Sequence, residues 1–153
     1  MAVEITPSGT RGEQLPKWAF KVANWLAVPI YKLMGKRFPN GLPLLLLTTV
    51  GAKSGQERKT ALCYLQQRGE REWLIIASKG GVAQHPAWYF NLAKNPDKVW
   101  IEVDGRKTQV RPESLKGEER ADAWRRVVAA APGYGEYQTK TDREIPLVRL
   151  IPV

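Results

Sequence analysis

A small β-barrel with helices packed around it is the fold class this sequence predicts, an α+β chain dominated by strands. Three observations carry that reading. Short runs are either wholly apolar or alternate apolar with polar residues, the two-residue period of a strand. Glycine, proline and aspartate punctuate them, most clearly at Asp104-Gly105, a strong two-residue hairpin turn. Segments of helical period are interspersed among the strands.

Residues 1–15 mix glycine, proline, serine, threonine and charge, and read as a mobile tail. Residues 16–37 read as an amphipathic helical segment, with Pro16 suited to a first helical position and Pro29 expected to kink or break it. Lys17, Lys21, Asn24 and Lys32 fall on one narrow stripe, and Trp18, Trp25, Leu26 and other apolar side chains cover most of the rest. Such a helix either buries itself against the domain or lies at a lipid interface, with its tryptophans at the acyl boundary. Residues 38–153 form the barrel domain.

Within that domain, Pro39-Asn40-Gly41 is a turn and Leu44 to Thr49 a short strand. Arg58 to Gln67 is a second strand, turning at Arg68-Gly69-Glu70. Glu72 to Ser78 is a buried strand, followed by the flexible loop Lys79-Gly80-Gly81. Pro86 starts a helix over Ala87 to Lys94, which Asn95-Pro96 stops. Val99, Ile101 and Val103 alternate with polar or aromatic neighbours as a strand, and Asp104-Gly105 leads into another at Lys107 to Arg111. Gly117 to Ala131 is a helix with Glu118 and Glu119 in its first turn, where negative charge suits the helix dipole. Pro132-Gly133 ends it, a polar loop follows, and Ile145 to Ile151 makes the last strand.

The 153 residues suffice for one domain with a real core, and a hydrophobic share of 43% argues for a folded chain. No run of about twenty apolar residues predicts a spanning helix. The absence of a secretory leader and the single cysteine, Cys63, lead us to expect a cytoplasmic, reducing location. Lys and Arg total 24 against 15 acidic residues, a net charge of +9. Nucleic acid, an anionic membrane and an acidic small molecule would each answer that excess. The charges are scattered and nucleic-acid motifs are missing, so nucleic acid ranks last.

The strongest candidate for chemistry is Thr48-Thr49-Val50-Gly51-Ala52-Lys53-Ser54-Gly55-Gln56-Glu57-Arg58. Glycines allow backbone N–H groups to converge on an anion, and Arg58 can grip a phosphate with two parallel hydrogen bonds. The spacing is not that of a Walker loop. A plain β-turn on a hairpin is the competing reading. Ser78-Lys79-Gly80-Gly81 offers a second polar, glycine-rich corner. The helix start at Pro86-Ala87-Trp88-Tyr89-Phe90-Asn91 offers unpaired N–H groups, and its aromatics either wall a flat ring or pack in the core. Tyr134-Gly135-Glu136-Tyr137 places two phenols on a segment read as a flexible loop. Other catalytic sets are absent: His85 is the only histidine, no Gly-x-Ser-x-Gly elbow accompanies it, and one histidine with one cysteine makes no zinc site. An enzyme built this way needs a cofactor to carry the reactivity.

At these residues the chain resembles the actinobacterial deazaflavin (F420)-dependent nitroreductase family, the quinone and nitro-compound reductases. The matching pieces are the Thr48–Gly55 turn with Arg58, Ala77–Gly81, Pro86–Tyr89 with Asn91-Leu92 and Asn95-Pro96, Glu119-Arg120 with Trp124, Pro132–Tyr134 with Tyr137-Gln138, and Thr141-Asp142-Arg143-Glu144-Ile145-Pro146. The resemblance implies a split β-barrel of the FMN-binding, flavin-reductase-like kind. It implies coenzyme F420, an 8-hydroxy-5-deazaflavin with a polyanionic phospholactyl-oligoglutamate tail, and hydride transfer from its reduced form to a quinone, activated enone or nitro compound. By similarity, Lys53, Ser54, Arg58 and Lys59 meet the phosphate and tail. Thr60, Ala61, Leu62 and Cys63 line the ring, largely through backbone. Ala77, Ser78 and Lys79 border it, and Ala87, Trp88, Tyr89, Phe90 and Asn91 close the other side. Tyr134 and Tyr137 flank the acceptor, and Ser78 or either tyrosine donates to the oxygen that gains charge. Cys63 and Ala131 stand where the family's nitroimidazole-activating member has tyrosines, which implies a wider, less aromatic pocket. The family's N-terminal helix has been linked to membrane association, so peripheral contact through residues 16–37 is a further expectation. Flavin mononucleotide is the competing cofactor, and a non-catalytic F420 or lipid carrier the competing role.

Overall fold

The computed structural model describes residues 2–12, 18, 29, 41–67, 71–78, 81 and 84–153. The helical segment expected at 16–37 and the Lys79-Gly80 pair therefore lie outside the described residues, save Trp18 and Pro29.

Six antiparallel strands close into a barrel. They are β1 (Leu44–Val50), β2 (Glu57–Gln67), β3 (Glu72–Ile76), β4 (Trp100–Val103), β5 (Arg106–Ser114) and β6 (Leu147–Pro152). Their order around the barrel is β1-β2-β3-β6-β5-β4, with β4 returning to β1. Closure leaves no unpaired edge to seed pairing with another chain. The β4–β5 hairpin turns at Asp104 (φ 52°) and Gly105 (φ 77°), the two positive φ values a two-residue type I′ turn requires.

Alternation along β1 explains how one strand serves two layers. Leu45 and Leu47 join Tyr64, Ile75, Ile101, Val110, Val148 and Leu150 inside the barrel. Leu44 and Leu46 face the other way and pack with Ala61 and Cys63 of β2. A second apolar layer lies outside β3 and β6, where Leu74, Ile76 and Leu147 meet Ala123, Val127 and Tyr134. Those last three residues come from two helices, α2 (Gly117–Ala130) and α3 (Gly133–Lys140). The remaining described helix, α1 (Ala87–Lys94), adds Trp88, Tyr89 and Leu92 to the barrel's own core.

Two expectations change. Residues 133–140 are helix α3, not a polar loop. Glycine in a helix costs about 1 kcal/mol against alanine, so local preference disfavours this segment twice, at Gly133 and Gly135. Packing overrides it. Tyr134 is buried, its ring meets that of Tyr137 edge-on at 5.7 Å, and a Cβ on Gly135 would lie only 3.5 Å from Val128 of α2. The second change concerns residues 2–12, read as a mobile tail. They run as a strap along the domain, with Val3 only 7% exposed inside the core cluster. Ser114 N–H donates to the Ala2 carbonyl and Glu4 N–H to the Ser114 hydroxyl. Farther along, the Asp142 carboxylate accepts from the N–H groups of Thr10 and Arg11 and from the Thr10 hydroxyl. These bonds span more than a hundred residues of sequence, so composition alone carries no sign of them.

Candidate active site

The turn between β1 and β2 is built as the glycines predict, with one consequence the sequence hides. Gly51 N–H donates to the Gln56 carbonyl at 2.8 Å, Gly55 N–H to the Gly51 carbonyl at 3.0 Å, and Gln56 N–H to the Ser54 hydroxyl at 3.2 Å. Gly55 holds a φ of 69°, a left-handed conformation that suits glycine. Ala52 N–H is taken by Asn91 Oδ1 of α1 at 2.9 Å. Four of the turn's N–H groups are therefore spent inside the protein. Only those of Lys53 and Ser54 lack a partner among the described residues. The backbone cradle shrinks to that pair, and anion binding falls mainly to side chains. Lys53, Arg58 and Lys59 are exposed, and none of them joins an ion pair among the described residues.

Asn91 fixes this turn to the helix behind it. Its amide nitrogen donates to the Thr49 hydroxyl at 3.1 Å while its oxygen accepts from Ala52, and Asn95 donates to the Val50 carbonyl at 3.3 Å. On the same helix the side chains of Trp88 and Tyr89 turn into the barrel core, and the Tyr89 hydroxyl donates to the Glu4 carbonyl at 2.5 Å. Their packing is structural. Ala87 and Phe90 remain exposed, and the Phe90 ring lies 6.0 Å from that of His85.

From the turn, β2 carries Thr60, Ala61, Leu62 and Cys63 in half-buried positions. Leu62 packs toward the barrel core, while Ala61 and Cys63 lie on the outer face over Leu44 and Leu46. Cys63 also packs against the cluster that contains Tyr134. The strand thus runs from the cationic turn to the outer apolar layer that includes Tyr134. Arg58 and Cys63 are five residues apart, about 17 Å along an extended strand.

The Ala77-Ser78 corner follows β3 directly. Ala77 is wholly buried, and its backbone is engaged inside the protein: its N–H donates to the Pro146 carbonyl at 2.9 Å and its carbonyl accepts from Arg143 at 3.0 Å. The Ser78 hydroxyl makes no hydrogen bond to any described residue, whereas its carbonyl accepts from Gly81 N–H at 2.9 Å. Gly81 (φ 81°) sits against α3: a Cβ there would come within 2.6 Å of the Tyr137 carbonyl oxygen. That close approach places Tyr134 and Tyr137 beside the corner that holds Ser78. Cation charge from Lys140 covers the Tyr137 ring at 5.7 Å.

The residues that secure this corner escaped sequence reasoning. Arg143, buried at 2% exposure, donates to the carbonyls of Ala77 (3.0 Å) and Ser78 (2.5 Å). Burial lowers its pKa to about 10, which leaves it cationic at neutral pH. Its Nη1 lies 3.2 Å from His85 Nδ1, and His85 Nε2 lies 2.8 Å from the Thr6 carbonyl. A carbonyl only accepts and a guanidinium only donates, so His85 is neutral with its proton on Nε2. Desolvation lowers its pKa, consistent with that state. Gln138 clamps the same segment, donating to the Arg143 carbonyl at 2.7 Å and accepting from Ile145 N–H at 3.0 Å. Arg120 donates to the Ile145 carbonyl at 2.7 Å and stacks 5.3 Å from the Trp124 ring. Except for the lone histidine, the one available signal was that these residues lie in the motif pieces carrying the resemblance.

A long polyanionic coenzyme with a flat ring fits this layout on its chemistry. Cations without acid partners stand at one end, small side chains on an outer strand face lie between, and an unbonded hydroxyl with two phenols stands at the other. Two clefts lie apart from the cations, the outer strand face and Ser78, although the first is lined in part by Tyr89. One, of about 290 Å³, runs along Glu4, Lys116, Arg120 and Glu144, and the other, of about 570 Å³, along Arg71, Trp73 and Arg106. No group of three or more His, Cys, Asp or Glu suited to a metal occurs among the described residues.

Known proteins resemble this chain in sequence and in fold. Residues 29–152 match the family described as F420H(2)-dependent quinone reductase. A Mycobacterium tuberculosis F420H(2)-dependent quinone reductase is 42% identical over 120 residues, covering 76% of this chain and 78% of the relative. The solved structure of an F420-H2 dependent reductase, FDR-A, is 42% identical with a TM-score of 0.62, covering 71% of this chain and 93% of that one. A solved domain-swapped dimer is 36% identical with a TM-score of 0.63, covering 84% and 98% respectively. The match spans most of the chain, and the barrel agrees with it: the chain belongs to the F420H(2)-dependent quinone reductase family.

Proposed function

We infer that this chain is an oxidoreductase that transfers a hydride from reduced coenzyme F420 to a quinone-type acceptor. Family membership supplies the chemistry, and one structural observation carries its location. The cations Lys53, Arg58 and Lys59 have no ion-pair partner among the described residues, and they stand at the head of a strand whose Cys63 packs against the apolar cluster that includes Tyr134. The reduced deazaflavin, when bound, supplies the hydride. The protein's residues do the rest. Lys53 and Arg58 hold the anionic tail, with Ser54 and Lys59 beside them. The strand face at Ala61 and Cys63 supports the ring. Holding donor and acceptor in contact removes much of the entropic barrier of a bimolecular step. In this reading the Ser78 hydroxyl or the phenol of Tyr134 or Tyr137 donates to the quinone oxygen as charge develops there. One hydride plus one proton, from such a hydroxyl or from water, converts the quinone to the quinol.

The test mixes the purified protein with reduced F420 and a soluble quinone and follows the return of the oxidised deazaflavin absorbance. Turnover that depends on the protein supports the reading. Tight coenzyme binding without turnover over a broad acceptor panel assigns a carrier instead, and binding of flavin mononucleotide in preference to F420 replaces the cofactor.

Peripheral contact with an anionic membrane through residues 16–37 is proposed on two grounds. The segment interleaves tryptophans with lysines, and Trp18 is 68% exposed. No helix among the described residues is long and apolar enough to cross a membrane. Sedimentation with anionic liposomes decides the point, comparing the chain with a Trp18→Ser/Trp25→Ser variant that leaves residues 2–12 in place: equal binding by both forms overturns it.

A further inference from the structure

Arg143 sits in a position that hydrophobic packing alone does not explain. It is among the largest fully buried side chains of the described residues, where the others are Tyr89 and aliphatic residues. Burying a guanidinium removes its hydration, so the site must return hydrogen bonds. It returns them from three directions. The carbonyls of Ala77 and Ser78 accept from Nη1 and Nη2, and His85 Nδ1 lies within reach of Nη1. The backbone of Arg143 is also held at both ends, by the Thr141 hydroxyl on its N–H and by Gln138 on its carbonyl.

The planar fork of a guanidinium has a geometric effect that an ammonium or an amide lacks. Two consecutive carbonyls drawn to one rigid fork fix the peptide between them. Here that peptide joins Ala77 to Ser78, the first residues after β3, and its orientation sets where the unbonded Ser78 hydroxyl points. Arg143 itself touches none of the exposed residues of the candidate site among its named contacts.

We propose that Arg143 is a positioning residue for the deazaflavin ring, holding the Ala77-Ser78 peptide so that this edge of the coenzyme site keeps a single geometry. The proposal rests on the reading of Ala77 and Ser78 as bordering the ring. It separates two functions within the site: Lys53 and Arg58 act on the anionic tail, and Arg143 acts on the ring through the peptide it holds.

Two probes test that separation: oxidised F420, and an 8-hydroxy-5-deazaflavin nucleoside that lacks the phosphate and glutamate tail. Affinity is read from ligand fluorescence, and the ring's surroundings from the bound ligand's visible absorption band. Arg143→Lys keeps the charge but loses the fork. It is expected to weaken both ligands by about tenfold, the loss of one charge-assisted hydrogen bond, and to shift the bound band. The Lys53→Ala/Arg58→Ala double variant is expected to weaken F420 while leaving the nucleoside unchanged. Arg143→Lys that melts cooperatively, binds the nucleoside with native affinity and leaves its band in place overturns the proposal while the coenzyme reading stands. Failure of the unsubstituted protein to bind either probe overturns both. A measurement on the unsubstituted protein covers the case of a variant that does not fold. The guanidinium NMR resonances of Arg143 are expected to shift when the nucleoside binds, and unmoved resonances at saturation overturn the proposal.

Discussion

The two ends of the candidate site are held by opposite means. At the β1–β2 turn the functional groups are exposed charges on a short local loop, secured from behind by one buried amide, Asn91. At the Ala77-Ser78 corner both residues are buried, the candidate chemistry is the Ser78 hydroxyl, and the support is a buried network of Arg143, His85 and Thr6 drawn from distant parts of the chain. The first end spends little fold stability on function. The second makes function and stability parts of one network. Substitutions at the two ends should therefore separate: changes at the corner lower stability together with function, and changes at the turn lower function alone.

The sharpest way to break the contrast is Gly81→Ala. Residue 81 has a φ of 81°, and a Cβ would meet the Tyr137 carbonyl oxygen at 2.6 Å, backbone against backbone. We expect a loss of about 3 kcal/mol in urea unfolding, from strain at a left-handed position plus the displacement of α3. A variant of native stability would show that the corner is not rigid. Asn91→Ala should come next, at about 2 kcal/mol, because it removes the acceptor of Ala52 N–H and the donor to Thr49. It should also lower coenzyme affinity by loosening the turn, which links the two ends through α1.

Acid titration sharpens the comparison further. The folded state holds His85 neutral with a lowered pKa, facing the cationic Arg143, the Tyr89 ring and the Thr6 carbonyl. The unfolded chain then binds more protons than the folded one as pH drops. Stability is full above the unfolded value of 6.5 and declines as pH falls through it toward the lowered folded value. Chemical unfolding between pH 7.5 and 5 should show that decline, and His85→Gln should flatten it. The Asp142 carboxylate, with a pKa held down to about 2 by Thr10 and Arg11, loses its contribution only below its ordinary 3.8, outside that window. An unchanged slope in His85→Gln would place the titration elsewhere.

The smallest expected effect on folding belongs to Lys53→Gln with Arg58→Gln. Both side chains are exposed, so stability should change by no more than about 0.5 kcal/mol. Coenzyme affinity should nevertheless fall steeply, and its dependence on ionic strength should weaken with it. If both affinity and salt dependence are retained, the tail is held elsewhere.

How much was legible in the sequence follows the same division. The apolar run of β1, the alternation along β4, the Asp104-Gly105 turn and the Pro86 start of α1 are local signals, and the structure repeats them nearly residue for residue. The cationic turn was legible for the same reason. Its backbone was less so, because the partner that consumes Ala52 N–H is a side chain 39 residues away. Helix α3 was misread because its glycines oppose it locally, and only the burial of Tyr134 against the outer apolar layer reverses that preference. Trp88 and Tyr89 had an undecided reading, since an aromatic pair at a helix start suits a ring pocket as well as a core.

The order of strand and turn in this chain is written in short-range periodicity and in residues that adopt special backbone angles, so the sequence by itself determined a helix-flanked barrel with a basic turn. Tertiary structure alone decided that Arg143 would lie inside, that residues 2–12 would strap the domain, and which of the turn's N–H groups remain available. Those outcomes depend on hydrogen bonds between groups far apart in sequence, formed because a buried donor or acceptor must find a partner once the barrel has excluded water.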